Sequence, residues 1–341
     1  MPKLRLPAEW EPQAAIFLSW PHPKHAWGED TAQMDNVYLQ LVEAISEQQT
    51  VILQVQDLSH QRHVQALLMA KGLSHAPIEW LLAPSNDVWT RDYGPITVWA
   101  GHKLCLLDFQ FNGWGQKYPY ALDNQLCKQL AQLPLFRAHQ YRSIDWVLEG
   151  GSIECDGQGT LLTSSQCLLN PNRNGPLTQS QSTHILQEQL GITRVLWLPP
   201  VQLAGDDTDG HIDTLVRFIN PTTLAYVQCE DPQDPHYPSL QAMYQALTQF
   251  RTLNGQPYTL VPLPLPQPIY AQGERLPATY ANFIISNQYV IVPLYADPLD
   301  AVILRRLQTY FPERVVIGIN ANIVIAQHGS LHCISMQIPA P

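Results

Sequence analysis

The sequence is short of positive charge, has no paired cysteines and lacks a long apolar run. Only 19 of its 341 residues are Lys or Arg, against 29 Asp and Glu, for a net charge of -10. Nucleic-acid binding needs a basic face to neutralise phosphates, so no such partner is expected. No stretch approaches the roughly 20 apolar residues of a membrane-spanning helix, so no membrane association is expected. The opening MPKLRLPAEWEPQ has two basic residues with no apolar segment behind them, and no secretory leader is read there. Cys105, Cys127, Cys155, Cys167, Cys229 and Cys333 include no C-x-x-C pair. Without an export signal they read as reduced thiols, which points to a cytoplasmic location. What is present is an acidic chain, 45% hydrophobic, able to bury a large core and open to a cationic ligand.

Helix signals recur at steps of about 60 residues, too long for a solenoid coil. They open near Ser59, Tyr120, Ser180, Tyr237 and Asp297. Ser59 stands as a cap before Val64, Leu67 and Leu68, with Gly72 to end the run. Asp297-Pro298 reads as an N-cap followed by Pro at the first helical position, and Pro312 as the stop. A further helix is predicted over residues 31–47, ahead of the series. Strand-like runs come after each helix: IEWLL, PITVW and KLCLLDFQF; DWVLEG, SIECD and GTLLTS; RVLWLP, IDTLVRFI and TLAYVQCE; YTLVPLP, ANFIIS and YVIVPLY. The last unit has RVVIGI and SLHCISMQ and is one strand short. AIFLSW at residues 15–20 would complete it and close a ring. Such β-rich units suggest an α/β fold with radial packing in a single domain over 1–341, with the Pro-rich stretch 262–270 as a loop on it.

Chemistry-bearing residues recur in these units about 30 residues past the helix starts, where equivalent positions of a ring would meet. They are Asp92 in VWTRDYGP, Glu149 in LEGGSIE, His211 and Asp213 in DTDGHID, and Cys333 in GSLHCIS. Carboxylates gathered at one point repel one another unless a cation joins them. A guanidinium is such a cation, planar and bound by carboxylates in bidentate fashion. Cys and His add a nucleophile and a proton carrier. On a strand, His211 and Asp213 would share one face. The set suits thiolate attack on a guanidinium carbon, loss of ammonia to leave an amidino-thioether, and hydrolysis of that adduct. The rival class is a metal hydrolase built on His211, Asp213, His328 and His332, the last two spaced as in helical zinc sites. Their surroundings read as turn and strand, where that spacing separates side chains.

The ordered motifs PAEWEPQ, LSWP, NDVWTRDYGP, FQFNGWGQKYPY, LEGGSIECDGQGTLLT, DTDGHID, YANFIIS, VIVPLYADPLD and the terminal HC resemble the agmatine deiminase family, also called the Porphyromonas-type peptidylarginine deiminase family. The resemblance covers nearly the whole chain. It implies a pentein-type five-bladed α/β propeller of ββαβ-like repeats, and hydrolysis of agmatine to N-carbamoylputrescine and ammonia in putrescine and polyamine metabolism. It makes Cys333 the nucleophile and His211 the general acid/base. Asp92 and Asp213 would grip the guanidinium, Glu149 would orient His211, and Trp89 would line the pocket. It implies no metal and no cofactor, and a homodimer by family habit. Asp207, with Asp206 and Asp209 just before His211, suits the amine tail of such a substrate. The alternative substrates are free or peptidyl arginine or another alkylguanidine, but beyond Arg91 no Lys or Arg cluster lies near the motifs to hold a carboxylate. One departure stands out. The family pattern before the nucleophile resembles GGGNIHC, whereas here it is AQHGSLHC, with Gln327 and His328 at the first two glycine positions, where bulk would narrow the pocket mouth.

Overall fold

The computed structural model describes residues 3–24 and 27–340. Among these residues the strands sort into five sheets that share one plan, plus a small hairpin of Tyr270–Ala271 with Glu274–Arg275. In each sheet a first strand runs antiparallel to a second, and the second runs parallel to a third after a helical crossover. The first unit is Ile96–Ala100, Lys103–Gln110 and Gln140–Val147, with Leu4–Arg5 added at its edge. The second is Ile153–Cys155, Thr160–Ser164 and Arg194–Leu198. Val216–Asn220, Thr223–Gln228 and Thr259–Pro264 form the third. Ile284–Ile285, Tyr289–Leu294 and Val315–Asn320 form the fourth. The fifth draws on both ends of the chain: Met336–Pro339 pairs antiparallel with Gln13–Ser19, which runs parallel to Thr50–Val55. The expected closure by the N-terminal strand is therefore present.

Local sequence explains the elements. Val51, Ile52 and Leu53 are buried in succession, the mark of a strand covered on both faces. The crossover helix Gln179–Leu190 opens with a capping box between Thr178 and Gln181 and ends at Gly191 in the left-handed region. Two expected starts are corrected. Helix Leu58–Ala70 is capped by Asp57, which accepts from the His60 amide, rather than by Ser59. The helix expected at Asp297 starts at Asp300, because Asp297 instead accepts from the Leu299 and Gln267 amides in the preceding turn.

The phase of the repeat also differs from the expectation. In the fifth unit the crossover helix is Thr31–Ser46, which was predicted as an outlier ahead of the series. Helix Leu58–Ala70, predicted to open the series, instead leads to an added fourth strand, Ile78–Leu82. The two helices have similar local signals, and only strand pairing, a long-range property, tells them apart. The segment expected as a helix from Tyr120 is a 3-10 turn at Asp123–Gln125 and a short helix, Leu126–Leu130. Its Asp123 is drawn away to accept from the Asn86 and Asp87 amides. All six cysteines are unpaired, and no described helix is long and apolar enough to cross a membrane.

Each unit carries a polar residue in the turn that enters its first strand. These are Asp92 before Ile96, Glu149 before Ile153, Asp213 before Val216, Asn282 before Ile284 and Cys333 before Met336.

Candidate active site

These five turns meet. Asp92 stands in the single helical turn Thr90–Tyr93, whose Arg91 amide donates to the Cys333 carbonyl at 3.1 Å. Asp92 Oδ1 accepts from the Gly151 amide at 3.0 Å and Oδ2 from the Trp114 indole at 2.9 Å. His211 lies between two carboxylates, with Nδ1 3.6 Å from Asp92 and Nε2 3.6 Å from Glu149. The Cys333 thiol donates to Asn282 Oδ1 at 3.3 Å and lies 4.0 Å from Asp213 Oδ2. Asp92, Glu149, His211, Asp213 and Cys333 are all buried. The expected cluster is thus brought together, by turns rather than by strands. His211 and Asp213 were expected on one face of a strand, but Ile212–Thr214 is a turn of 3-10 helix fixed by Thr214 Oγ1 donating to the His211 carbonyl. Around Cys333, SLHCISMQ was likewise expected as a strand and pairs only from Met336.

Gly151 explains the Glu-Gly-Gly motif. A Cβ there would stand 2.6 Å from His211 Nδ1, 2.8 Å from Asp92 Oδ1 and 3.2 Å from Asp213 Oδ2, so three groups of the site pack where only hydrogen fits. Gly329 meets a similar demand, since a Cβ there would lie 2.1 Å from the Trp89 ring.

The electrostatics arise from burial with too little positive charge. Burial, opposed by His211 and reinforced by Asp213 and Glu149, pushes the Asp92 carboxyl up to about 6. Burial, then Asp213 and Asp92, push the Cys333 thiol well above its ordinary value. At His211 burial works the other way, but Asp92, Cys167 and Glu149 hold the imidazolium well above the usual range. Glu149 and Asp213 sit below the usual carboxyl range despite burial, through His211 and Arg173 for the first and His332 for the second. Burial and acidic neighbours thus favour the thiol form of Cys333, while the carboxylates around His211 favour its charged form.

A cleft opens from this cluster, lined by Asp87, Trp89, Trp114, Tyr118, Asp207 and His328 among others, with no Lys or Arg among its lining residues. Trp89 and Asp207 therefore stand where expected. Of the three aspartates before His211, Asp206 accepts from the Thr208 and Gly210 amides, and Asp209 pairs with Arg173 and Lys117. Asp207 lines the cleft and accepts from the Tyr118 hydroxyl at 2.9 Å, and burial raises its carboxyl. Burial, with Asp207 adding to it, also pushes Asp87 up to about 6. Gln327 and His328 both line the cleft. His328 adopts the left-handed φ of 68° that a glycine would take, with its Nδ1 2.8 Å from the Gly205 carbonyl.

Several members were not singled out from sequence. Trp114 is presented by a tight run of left-handed residues from Gly113 to Gln116, a strained turn signalled by the NGWG text. Asn282 was hidden because the insertion around the Tyr270–Ala271 hairpin lengthens its unit. Arg173 donates to both Glu149 oxygens, at 3.0 and 2.9 Å, and His332 packs behind Asp213. Two sets of metal-ligand types lie close together, Glu149 with Cys167 and His211, and Glu9 with Glu154 and His332. Each is already contacted by a guanidinium, Arg173 in the first and Arg217 in the second. His328 and His332, the pair with zinc-like spacing, take separate partners in the Gly205 carbonyl and Asp213.

The family described as Porphyromonas-type peptidyl-arginine deiminase matches residues 5–339. An agmatine deiminase of Pseudomonas fluorescens is 31% identical, over 98% of this chain and 95% of its own length. A C. jejuni agmatine deiminase carrying a Cys-to-Ser substitution, solved with substrate bound, superposes with a TM-score of 0.90 at 37% identity, covering 99% of this chain and 96% of that one. A Porphyromonas gingivalis structure provisionally assigned as an arginine deiminase superposes with a TM-score of 0.92 at 43% identity, covering 99% and 98%. With a mixed α/β fold and a near-complete match, this chain belongs to the Porphyromonas-type peptidyl-arginine deiminase family, hydrolases acting on amidine C–N bonds.

Proposed function

We propose that the protein is an agmatine deiminase, a single catalytic domain whose five units form a pentein-type α/β propeller around the site. The guanidinium of agmatine enters the cluster as the missing cation and is held by Asp92 and Asp213. Its positive charge favours loss of the Cys333 thiol proton to solvent, and the thiolate attacks the guanidinium carbon. His211, oriented by Glu149, delivers a proton to one nitrogen as the C–N bond breaks, and ammonia leaves. The neutral imidazole then takes a proton from water, whose oxygen adds to the amidino carbon. The C–S bond breaks as the added hydroxyl gives up its proton to the leaving sulfur, giving N-carbamoylputrescine and the Cys333 thiol.

One observation carries the choice of substrate. The cleft beyond the cluster presents Asp87 and Asp207 and no Lys or Arg among its lining residues. A primary ammonium at the far end of the substrate would neutralise them, whereas an α-carboxylate would face like charge, which costs several kcal/mol. The names of the P. fluorescens and C. jejuni relatives support the same reading. The test is turnover of agmatine, arginine and a blocked arginyl peptide, assayed as ureido product with and without a chelator. Agmatine should lead arginine in kcat/KM by about 100-fold or more, given that like-charge penalty, and the chelator should change nothing. Comparable turnover of arginine or the peptide would overturn the assignment, and loss of activity with the chelator would revive the metal reading.

A further inference from the structure

Behind the cluster lies a second set of buried charges that the reaction above leaves unused. Arg217, on strand Val216–Asn220, is fully buried. It donates through Nε to Glu154, through Nη1 to the Ala281 and Phe283 carbonyls, and through Nη2 to Glu9. The same Nη2 lies 3.1 Å from His332 Nε2, and Glu9 Oε2 lies 3.0 Å from that nitrogen. The other ring nitrogen, Nδ1, is 2.7 Å from Asp213 Oδ2.

This arrangement fixes a proton. A guanidinium only donates, so a neutral His332 accepts from Arg217 at Nε2 and carries its single proton on Nδ1. A protonated His332 would donate from Nε2 to Glu9 and still keep the Nδ1 proton. In both states Nδ1–H points at Asp213. Asp213 Oδ2 is thereby occupied, while its Oδ1, also buried, has no hydrogen-bond partner among the described residues. A buried carboxylate oxygen without a donor is costly unless something outside the fold supplies one.

We propose that His332, held by Glu9 and Arg217, is a positioning residue that keeps Asp213 ionised and leaves Oδ1 as the acceptor for an N–H of the substrate guanidinium. The proposal rests on the reading of the cluster as a guanidine site. The groups facing Asp213 are His332 and Cys333 from the C-terminal segment, His211 from its own turn, Asp92, Arg217 and Arg91. Burial favours its neutral form, and His332 is its strongest opponent, ahead of His211 and Arg217. Taking His332 away should therefore let Asp213 protonate nearer neutrality, so that guanidine binding is regained only at higher pH.

Three variants separate this role from mere packing. His332→Asn keeps an amide donor near the Nδ1 position. His332→Gln places its amide toward Glu9 and Arg217 instead, and His332→Ala has neither. In the wild type, kcat/KM should fall below about pH 6, where Asp92 takes up its proton. His332→Ala and His332→Gln should lose about 100-fold at neutral pH, mostly in KM, the loss typical of a misplaced positioning group. With Asp213 then titrating above Asp92, their acid limbs should move up from that of the wild type, and His332→Asn should stay near wild type. The ionisation itself is read by 13Cγ NMR of aspartate-labelled protein, with Asp213 assigned through Asp213→Asn. Its midpoint should lie below the ordinary range in the wild type and rise in His332→Gln. An unmoved midpoint and acid limb in folded His332→Gln, or a His332→Asn no better than His332→Gln, would overturn the proposal. If the wild type turns over no guanidine, the functional reading falls, while the NMR titration still decides the link between His332 and Asp213.

Discussion

Glu9 and Glu154 share a buried guanidinium, that of Arg217, whereas Asp92 and Asp213, on the other side of His332, share none. The two clusters pose the same electrostatic problem and resolve it differently. In the closed cluster burial pushes both carboxyls up; Arg217 prevails at Glu9 and holds it far below its ordinary range, while at Glu154 burial outweighs the guanidinium and the carboxyl stays raised. That guanidinium also lies 4.6 Å from the centre of the Phe283 ring, so it has both carboxylates and an aromatic face. In the open cluster Asp92 drifts up to about 6, burial and acidic neighbours favour the Cys333 thiol, and Trp89 and Trp114 line a cleft with no Lys or Arg in its lining. The protein thus contains, in its own interior, the kind of group that would complete the open cluster. The lesson is that a buried carboxylate pair is stable when its planar cation is covalently part of the fold and becomes a binding site when it is not.

The comparison can be broken at several points. The largest effect is expected from Cys333→Ala, which should turn the open cluster into a mere holder of guanidinium. Turnover of agmatine should drop about 10⁴-fold or more, as for a lost nucleophile. Agmatine should still raise the melting temperature, and residual turnover near wild type would remove Cys333 from the mechanism. Next comes Arg217→Met, which empties the closed cluster. Two carboxylates would be left without their cation, at a cost of about 3–5 kcal/mol of folding stability measured by denaturant titration. A variant as stable as the wild type would show that Arg217 does not neutralise them. The smallest effect is expected at the rim. Asp87→Asn should raise KM for agmatine about tenfold with kcat nearly unchanged, as for one charge of a complementary pair. It should also narrow the preference over arginine, and an unchanged ratio would take Asp87 out of the recognition of the tail.

The sequence carried what is local. Alternating and continuous apolar runs marked most of the strands, and the glycines beside Glu149 and His211 marked the turns that bring the site together. Other features depend on contacts between distant segments. Arg217 and Glu9 lie in unrelated stretches, and nothing near either residue announces a buried ion pair. Asn282 sits at the same point of its unit as the other four site turns, yet the insertion before it pushed it out of step with the repeat. His332 was weighed only as a metal ligand, since SLHCISMQ reads as a strand, on which it would alternate away from Cys333. The turn in its place lets both residues face Asp213, one with its sulfur and one with its ring. The phase of the repeat was misread for the same reason, since pairing, not helix signal, decides that Thr31–Ser46 is the crossover of the fifth unit.

The pairing of Met336–Pro339 with Gln13–Ser19 has a consequence for the life of the molecule. The sulfur at position 333 is anchored against a strand made more than three hundred residues earlier, so a partly synthesised chain has no competent site. Closure joins segments far apart in sequence, the kind of non-local contact that slows folding. Loss of either Gln13–Ser19 or Met336–Pro339 should therefore cost Cys333 its anchor.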